Sequence, residues 1–369
     1  MPRETRSWWI YQGHGDRNED NALSPRLAHL GEPPPWRRFG KQARQDRGAT
    51  FEPETAEIDR VNAALLLRRP LLVTGRPGTG KTSLTYAVAH ELGLEPVLRW
   101  SITSRTTLQD GLYRYDAIGR LQGTSPADAR EARLPEIGDY LTLGPLGTAL
   151  FGRQHRTETS EILHYPRVLL IDEIDKSDID MPNDLLHLFE EGEFEIPELG
   201  RLGRRQDGRN ERSDEGFLIK PADYDNPASF QYRTKLFIPA DGWVRCPTAA
   251  FPLVIMTSNG EREFPPAFMR RCLQLDMQLP DKGKLARIVA KHFALHPRYR
   301  QKIADIDQLI RSFVDRRDGN TDGKRQDLAA DQLLNAVYLV LENIDPTHKL
   351  DKETLVEALW RPLSGGEGL

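Results

Sequence analysis

The octapeptide Gly75-Arg76-Pro77-Gly78-Thr79-Gly80-Lys81-Thr82 constrains this chain more than any other stretch. It lies between an aliphatic run, Leu71-Leu72-Val73, and a segment from Lys81 to Leu92 that predicts a helix closed by Gly93. Strand, glycine-rich turn and helix in this order match the pattern GxxxxGK[ST]. The glycines permit a tight turn whose successive N–H groups point inward, and the helix N-terminus adds its positive end. Such a cradle fits the phosphates of a nucleotide. Lys81 sets an ammonium against the outer phosphates, and the Thr82 hydroxyl is a ligand for magnesium. ATP and Mg²⁺ are therefore the expected ligands.

Around this motif, short aliphatic strands alternate with helical patterns, which predicts an α/β unit with a parallel sheet wound by crossovers. Ile58, Val61 and Leu65 fall at helical spacing and the pattern stops at Arg69-Pro70. Leu71–Val73, Pro96–Trp100, Val168–Ile171 and Leu253–Met256 read as strands, and Pro182–Glu191 as a helix opened by its proline. Two stretches interrupt the scheme. Residues 104–165 hold turns and short elements, and residues 192–250 contain LGRRQDGRNERSDEG, a polar piece expected to be a mobile loop. After Pro280 only helical periodicity remains, in 283–296, 299–316, 327–343 and 351–361. Three units follow: an extended N-terminal segment (1–50), an α/β core (51–280) and a C-terminal helical domain (281–369). Within the first, Trp8, Trp9 and Trp36 are expected to dock on the body or a neighbour.

The run Val168-Leu169-Leu170-Ile171-Asp172-Glu173 is a buried parallel strand ending in two acids, and ligands bind at the carboxyl ends of such strands. Asp172 is the candidate magnesium ligand beside Thr82, and Glu173 the candidate general base toward water. Asp175, Lys176 and Asp178 read mostly as solvated or inter-subunit surface. Asn259, at the tip of a further strand, would neighbour Glu173 if the two strands are adjacent, and could orient the same water. Arg270 and Arg271 close a short helix. They are a solvated last turn or, supplied to a neighbouring subunit's γ-phosphate, a source of large rate acceleration.

The order GRPGTGKT, LLIDEID, MTSNGE and PPAFMRRC, followed by helices, resembles AAA+ ATPases of the MoxR-like branch over about residues 52–345. The resemblance implies a doubly wound, five-stranded P-loop NTPase sheet, a C-terminal α-helical lid and a hexameric ring with ATP between subunits. It implies that Gly75–Thr82 is Walker A, Asp172 and Glu173 are Walker B, Asn259 is sensor 1, and Arg270 or Arg271 is the arginine finger. Gly144-Pro145 looks like the lead-in to the Walker B strand; 104–165 and 192–250 then resemble the helix-2 and pre-sensor-1 inserts that contact what the ring remodels. Lys324 or Arg325 fits the sensor 2 position loosely.

Function is then expected to be ATP hydrolysis that remodels a partner protein, in the manner of a MoxR-like chaperone, with a von Willebrand A-type protein as partner by resemblance. Two other readings stand beside it: a nucleotide-gated scaffold or sensor of a bacterial conflict system with slow hydrolysis, and a McrB-like nucleic-acid motor. A net charge of −4, with 29% charged residues of both signs mixed along the chain, argues against nucleic acid and anionic membranes. Cys246 and Cys272 cannot form a disulfide framework, and no CxxC pair offers zinc a site. No apolar run is long enough to span a bilayer, so a cytoplasmic protein is expected. His292 and His296, four apart, read as helix surface, and Arg37, Arg38, Lys41, Arg44 and Arg47 as a solvated tail. Ile303, Ile306, Ile310 and Phe313 read as the core of the helical domain.

Overall fold

The computed structural model describes residues 8–11, 27, 30, 33–38, 48–123, 136–156, 162–206, 216–225, 234–319, 325–347 and 354–362. The chain divides into two compact units, residues 51–279 and residues 1–50 with 280–369.

The larger unit is built on five parallel strands: β1 (Leu71–Thr74), β2 (Leu98–Ser101), β3 (Val168–Asp172), β4 (Leu253–Thr257) and β5 (Leu273–Asp276). Their order across the sheet is β5-β1-β4-β3-β2. Alternate residues of the central strands feed opposite cores. Leu72, Leu169, Ile171, Val254 and Met256 enter one, while Leu71, Val73, Val168, Leu253 and Ile255 enter the other. Burial on both faces explains why these strands read as unbroken aliphatic runs. Each such side chain contributes about 1.5–3 kcal/mol relative to exposure.

One core is roofed by α1 (Thr55–Leu67) and α2 (Lys81–Glu91). Val61 and Ala64 of α1 are buried, whereas Ile58 is 47% exposed, so the stripe inferred from Ile58 is displaced toward Ala64. The other core is covered by α3 (Pro145–Phe151) and α4 (Met181–Glu191). Pro182 lies in the first turn of α4, and Gly192 ends it in the left-handed conformation.

The expectation for Gly144-Pro145 is corrected here. The pair opens α3, which packs on β2 and β3, and a hairpin (Arg153–Arg156 with Ile162–Tyr165) intervenes before β3. Gly144 accommodates the close approach of the Gly111 and Asp110 carbonyls, where a Cβ would meet the Gly111 oxygen at 2.3 Å. The stretch 104–165 therefore contains a buried crossover helix as well as surface elements. In the second interruption, residues 202–206 of the polar stretch belong to a helix, Pro197–Gln206, and 207–215 lie outside the described residues. The two interruptions are tied together: Leu143 N–H donates to Lys220 O and Ala222 N–H to Thr148 Oγ1, both at 2.9 Å. A buried ion pair, Arg167 to Asp223 at 2.6 Å, fastens the second one beside β3.

In the larger unit a short helix, α5 (Pro266–Arg271), precedes β5. In the smaller unit α6 (Lys282–Phe293), α7 (Ile303–Asp318), α8 (Ala330–Leu341) and α9 (Leu355–Leu359) share one apolar core. Ile306, Leu309, Ile310 and Phe313 line the core, but Ile303, at the first position of α7, is 53% exposed. His296 lies beyond the end of α6, and His292 packs edge-on against Trp36, so the pair does not form a helix surface. Trp36, on a short turn of helix at Pro35–Arg37, also meets Phe293 and Tyr338, and its Nε1 donates to Asn335 Oδ1 at 3.1 Å. Of the basic tail, Arg37 and Arg38 are exposed, while Lys41, Arg44 and Arg47 lie outside the described residues. No helix among the described residues is long and apolar enough to cross a membrane.

Candidate active site

The residues singled out by sequence gather at the carboxyl ends of β1, β3 and β4. The loop after β1 turns on glycines with positive φ at Gly75 (140°), Gly78 (79°) and Gly80 (95°). At Gly75 the conformation and the space both exclude a side chain, since a Cβ would lie 2.5 Å from the Met277 carbonyl oxygen. Lys81, at the start of α2, is buried, and its Nζ donates to Gly75 O (2.6 Å) and Arg76 O (3.0 Å). Burial pushes its pKa down, while Asp175, Asp172, Glu173 and Asp276 pull it back up. The ammonium is thus stored inside the loop whose amides it would serve.

Asp172, the last residue of β3, is buried with three partners. Its Oδ1 accepts from Thr82 Oγ1 (3.2 Å) and Thr257 Oγ1 (2.7 Å), and its Oδ2 from Arg99 (2.6 Å). Thr257 also accepts the Glu173 N–H at 3.0 Å, so one hydroxyl on β4 positions both acids. Glu173 adopts a left-handed conformation (φ 62°), which a non-glycine residue holds only when its surroundings compensate the strain. Its half-exposed carboxylate pairs with Lys176 Nζ at 3.0 Å. That bond raises the Lys176 pKa.

Asp175 corrects the expectation of a surface residue. It is buried, and its Oδ2 accepts the N–H groups of Asn259 (2.9 Å) and Glu261 (3.2 Å). Lys176 and Asp178 are exposed as expected. Strands β3 and β4 are neighbours, with Ile171 opposite Met256, so Asn259 and Glu173 follow the ends of adjacent strands. The Asp175 bond fixes the backbone of Asn259 and leaves its side-chain amide unbonded among the described residues. Beside it, Arg262 donates to Ser177 O (2.8 Å) and Asp178 O (3.2 Å), joining the loop after β4 to the loop after β3.

The two tandem arginines differ. Arg271 is paired with Glu190 of α4, whereas Arg270 is exposed and has no ion pair among the described residues. Arg325 is exposed in the smaller unit, in an extended stretch ahead of Ala330, where α8 opens; the expected start at Asp327 is too early. Lys324 lies outside the described residues.

Strand order, the loop between β1 and α2, and two acids on the strand two places from β1 are now all in place. A family model described as "AAA domain (dynein-related subfamily)" matches residues 70–272, more than half of the chain. The chain belongs to this AAA family. It is an AAA+ P-loop ATPase by family, and its five-stranded parallel sheet with flanking helices is the α/β fold of P-loop NTPases. A comparison with curated proteins gave no match. The family match ends at Cys272 and therefore covers β1 to β4 and their loops, stopping short of β5 and the C-terminal helices.

Three members of this AAA site escaped sequence reasoning: Arg99, Asp175 and Thr257. Arg99 carried a faint signal, a cation alternating with buried Leu98 and Trp100. Thr257 carried a similar one, as the polar residue ending a run of aliphatics. Magnesium fits the donor set, because Thr82 and Asp172 present hard oxygens 3.2 Å apart beside the phosphate loop.

Proposed function

We propose that this AAA protein is a MoxR-like chaperone that hydrolyses Mg-ATP between subunits of a hexameric ring to remodel a partner protein. The convergence of Lys81, Thr82, Asp172 and Glu173 at the carboxyl ends of the central strands carries this reading. The amides of Gly75–Gly80 would hold the phosphates, and Lys81 would turn from the loop carbonyls to the outer phosphate oxygens. Thr82 and Asp172 would hold magnesium, which neutralises charge on the phosphates when bound. Glu173 would take a proton from water at its carboxylate, while the Asn259 amide, unbonded among the described residues, orients that water. Arg270, exposed and without an ion pair among the described residues, is the better suited of the two arginines to reach a neighbouring subunit's nucleotide.

The partner is read from the two interruptions of the sheet, which are hydrogen-bonded to one another, and the second of which presents Leu218 and Phe237, half-exposed register partners on one antiparallel strand pair. By its resemblance to MoxR-like proteins, a von Willebrand A-type protein is the expected partner. The test is Glu173→Gln. It is expected to bind ATP with parental affinity, to lose about 10²–10⁴ in turnover, and to form a ring-sized particle with Mg-ATP. Phosphate release at the parental rate would remove Glu173 from its role.

One observation favours a second reading, a nucleotide-gated scaffold with slow hydrolysis: both acids are held by cations, Asp172 by Arg99 and Glu173 by Lys176. A parental turnover below about one per minute, far under the usual enzymatic range, with ATP-dependent assembly intact, would select it.

A further inference from the structure

The geometry points to Arg99 as a resident counter-ion of Asp172 that competes with magnesium and so sets how much of the metal the site needs to load nucleotide. The inference rests on the nucleotide-binding reading above and deepens it.

Arg99 stands on β2, the edge strand of the sheet, with Leu170 as its register partner on β3. Ser101 and Asp172 are the next pair on that face, so the guanidinium needs only to reach one step along the neighbouring strand. It does so at 2.6 Å from Oδ2. The two threonine hydroxyls occupy Oδ1, and among the described residues Oδ2 is bonded to the arginine only. An acid this deeply buried needs a compensating positive charge. Neither nearby lysine supplies one by direct contact: Lys81 is bound to the Gly75 and Arg76 carbonyls, and Lys176 to Glu173.

A divalent cation drawn to the same carboxylate meets a guanidinium already there, and two cations beside one acid repel. The asymmetry of exposure shows which can leave. The Arg99 side chain is 48% exposed and that of Asp172 9%. Arg99 can therefore swing into water at little desolvation cost, whereas Asp172 cannot move. Loading of the metal with its nucleotide becomes an exchange of one counter-ion for another. Arg99 is a positioning residue in this account, because it acts on the reaction only through Asp172.

The test measures binding, not turnover. A fluorescent methylanthraniloyl derivative of AMPPNP is titrated into the full chain at a series of free magnesium concentrations. The parent, Arg99→Ala, Arg99→Lys and Lys81→Ala are compared, with Arg99→Gln standing in should the alanine variant not fold. The half-saturating magnesium is expected to fall about fivefold in Arg99→Ala, or about 1 kcal/mol, as suits a partly exposed ion pair. Arg99→Lys, which keeps a cation, is expected to stay within about twofold of the parent. An unchanged or higher magnesium requirement in Arg99→Ala would overturn the inference, as would an equal fall in Arg99→Lys. Parental binding that Lys81→Ala abolishes keeps the nucleotide reading intact whatever Arg99 does. Absence of binding by the parent itself would overturn both.

Discussion

The two units use their buried polar atoms differently. In the α/β unit these atoms form a chain at the strand ends: Thr82 to Asp172, Asp172 to Thr257, Thr257 to the Glu173 amide. A second link runs from Asp175 to the amides of Asn259 and Glu261. In the helical unit the clustered core side chains are apolar, and the buried polar groups beside them bond to separate partners instead of forming a chain: Trp36 Nε1 to Asn335 Oδ1, Trp360 Nε1 to Gln332 O and Arg317 Nη1 to Pro280 O. Loss of a single oxygen in the first unit should change chemistry while the fold persists. Loss of volume in the second should change stability while the chemistry at each folded site persists.

The sharpest test of that contrast is Arg270→Ala. It removes no buried contact, yet if the guanidinium serves a neighbouring subunit, turnover is expected to fall about 10³–10⁵-fold with an unchanged melting temperature. Arg271→Ala breaks the Glu190 pair instead and is expected to retain most activity; the reverse ranking in a phosphate-release assay would exchange their roles. Next in size is Trp360→Ala. Trp360 is 2% exposed and packs edge-on against Phe313. A cost of about 3–5 kcal/mol is expected in denaturant unfolding, with nucleotide affinity preserved in the folded fraction. A smaller effect follows from Thr257→Val, which keeps shape but deletes one hydroxyl. It is expected to lower kcat about 10–100-fold, equivalent to about 1–3 kcal/mol of transition-state stabilisation, at nearly constant KM, while the Glu173 N–H left without its acceptor lowers stability by about 1–3 kcal/mol; Thr257→Ser is expected to restore both. A lower melting temperature with normal kcat would abolish the distinction between the units.

Much of the fold was legible. Leu71–Val73, Val168–Ile171 and Leu253–Met256 announced themselves because strands buried on both faces must be apolar throughout. Leu273–Asp276 did not, since it alternates more exposed with more buried residues and gives no continuous run. The helical periods of the C-terminal unit locate its helices, yet Ile303, which reads as core by its period, lies in the first turn of its helix and faces solvent, as Ile58 does in the first turn of α1. The first turn of a helix can project past the core it later covers. Gly144-Pro145 misled for another reason: proline suits the start of a helix as well as a bend before a strand, and only packing chooses.

The phosphate cradle, the acidic pair and the alternation that yields a parallel sheet are written in local sequence. Each depends on neighbours a few residues apart, where backbone conformation and side-chain periodicity act directly. Packing alone sets Arg99 and Thr257 on Asp172, buries Asp175 beneath Asn259, and pairs Arg271 with Glu190 while Arg270 has no ion pair among the described residues. Those relations join residues brought side by side by the order of strands in the sheet, and no local pattern encodes which charge will meet which.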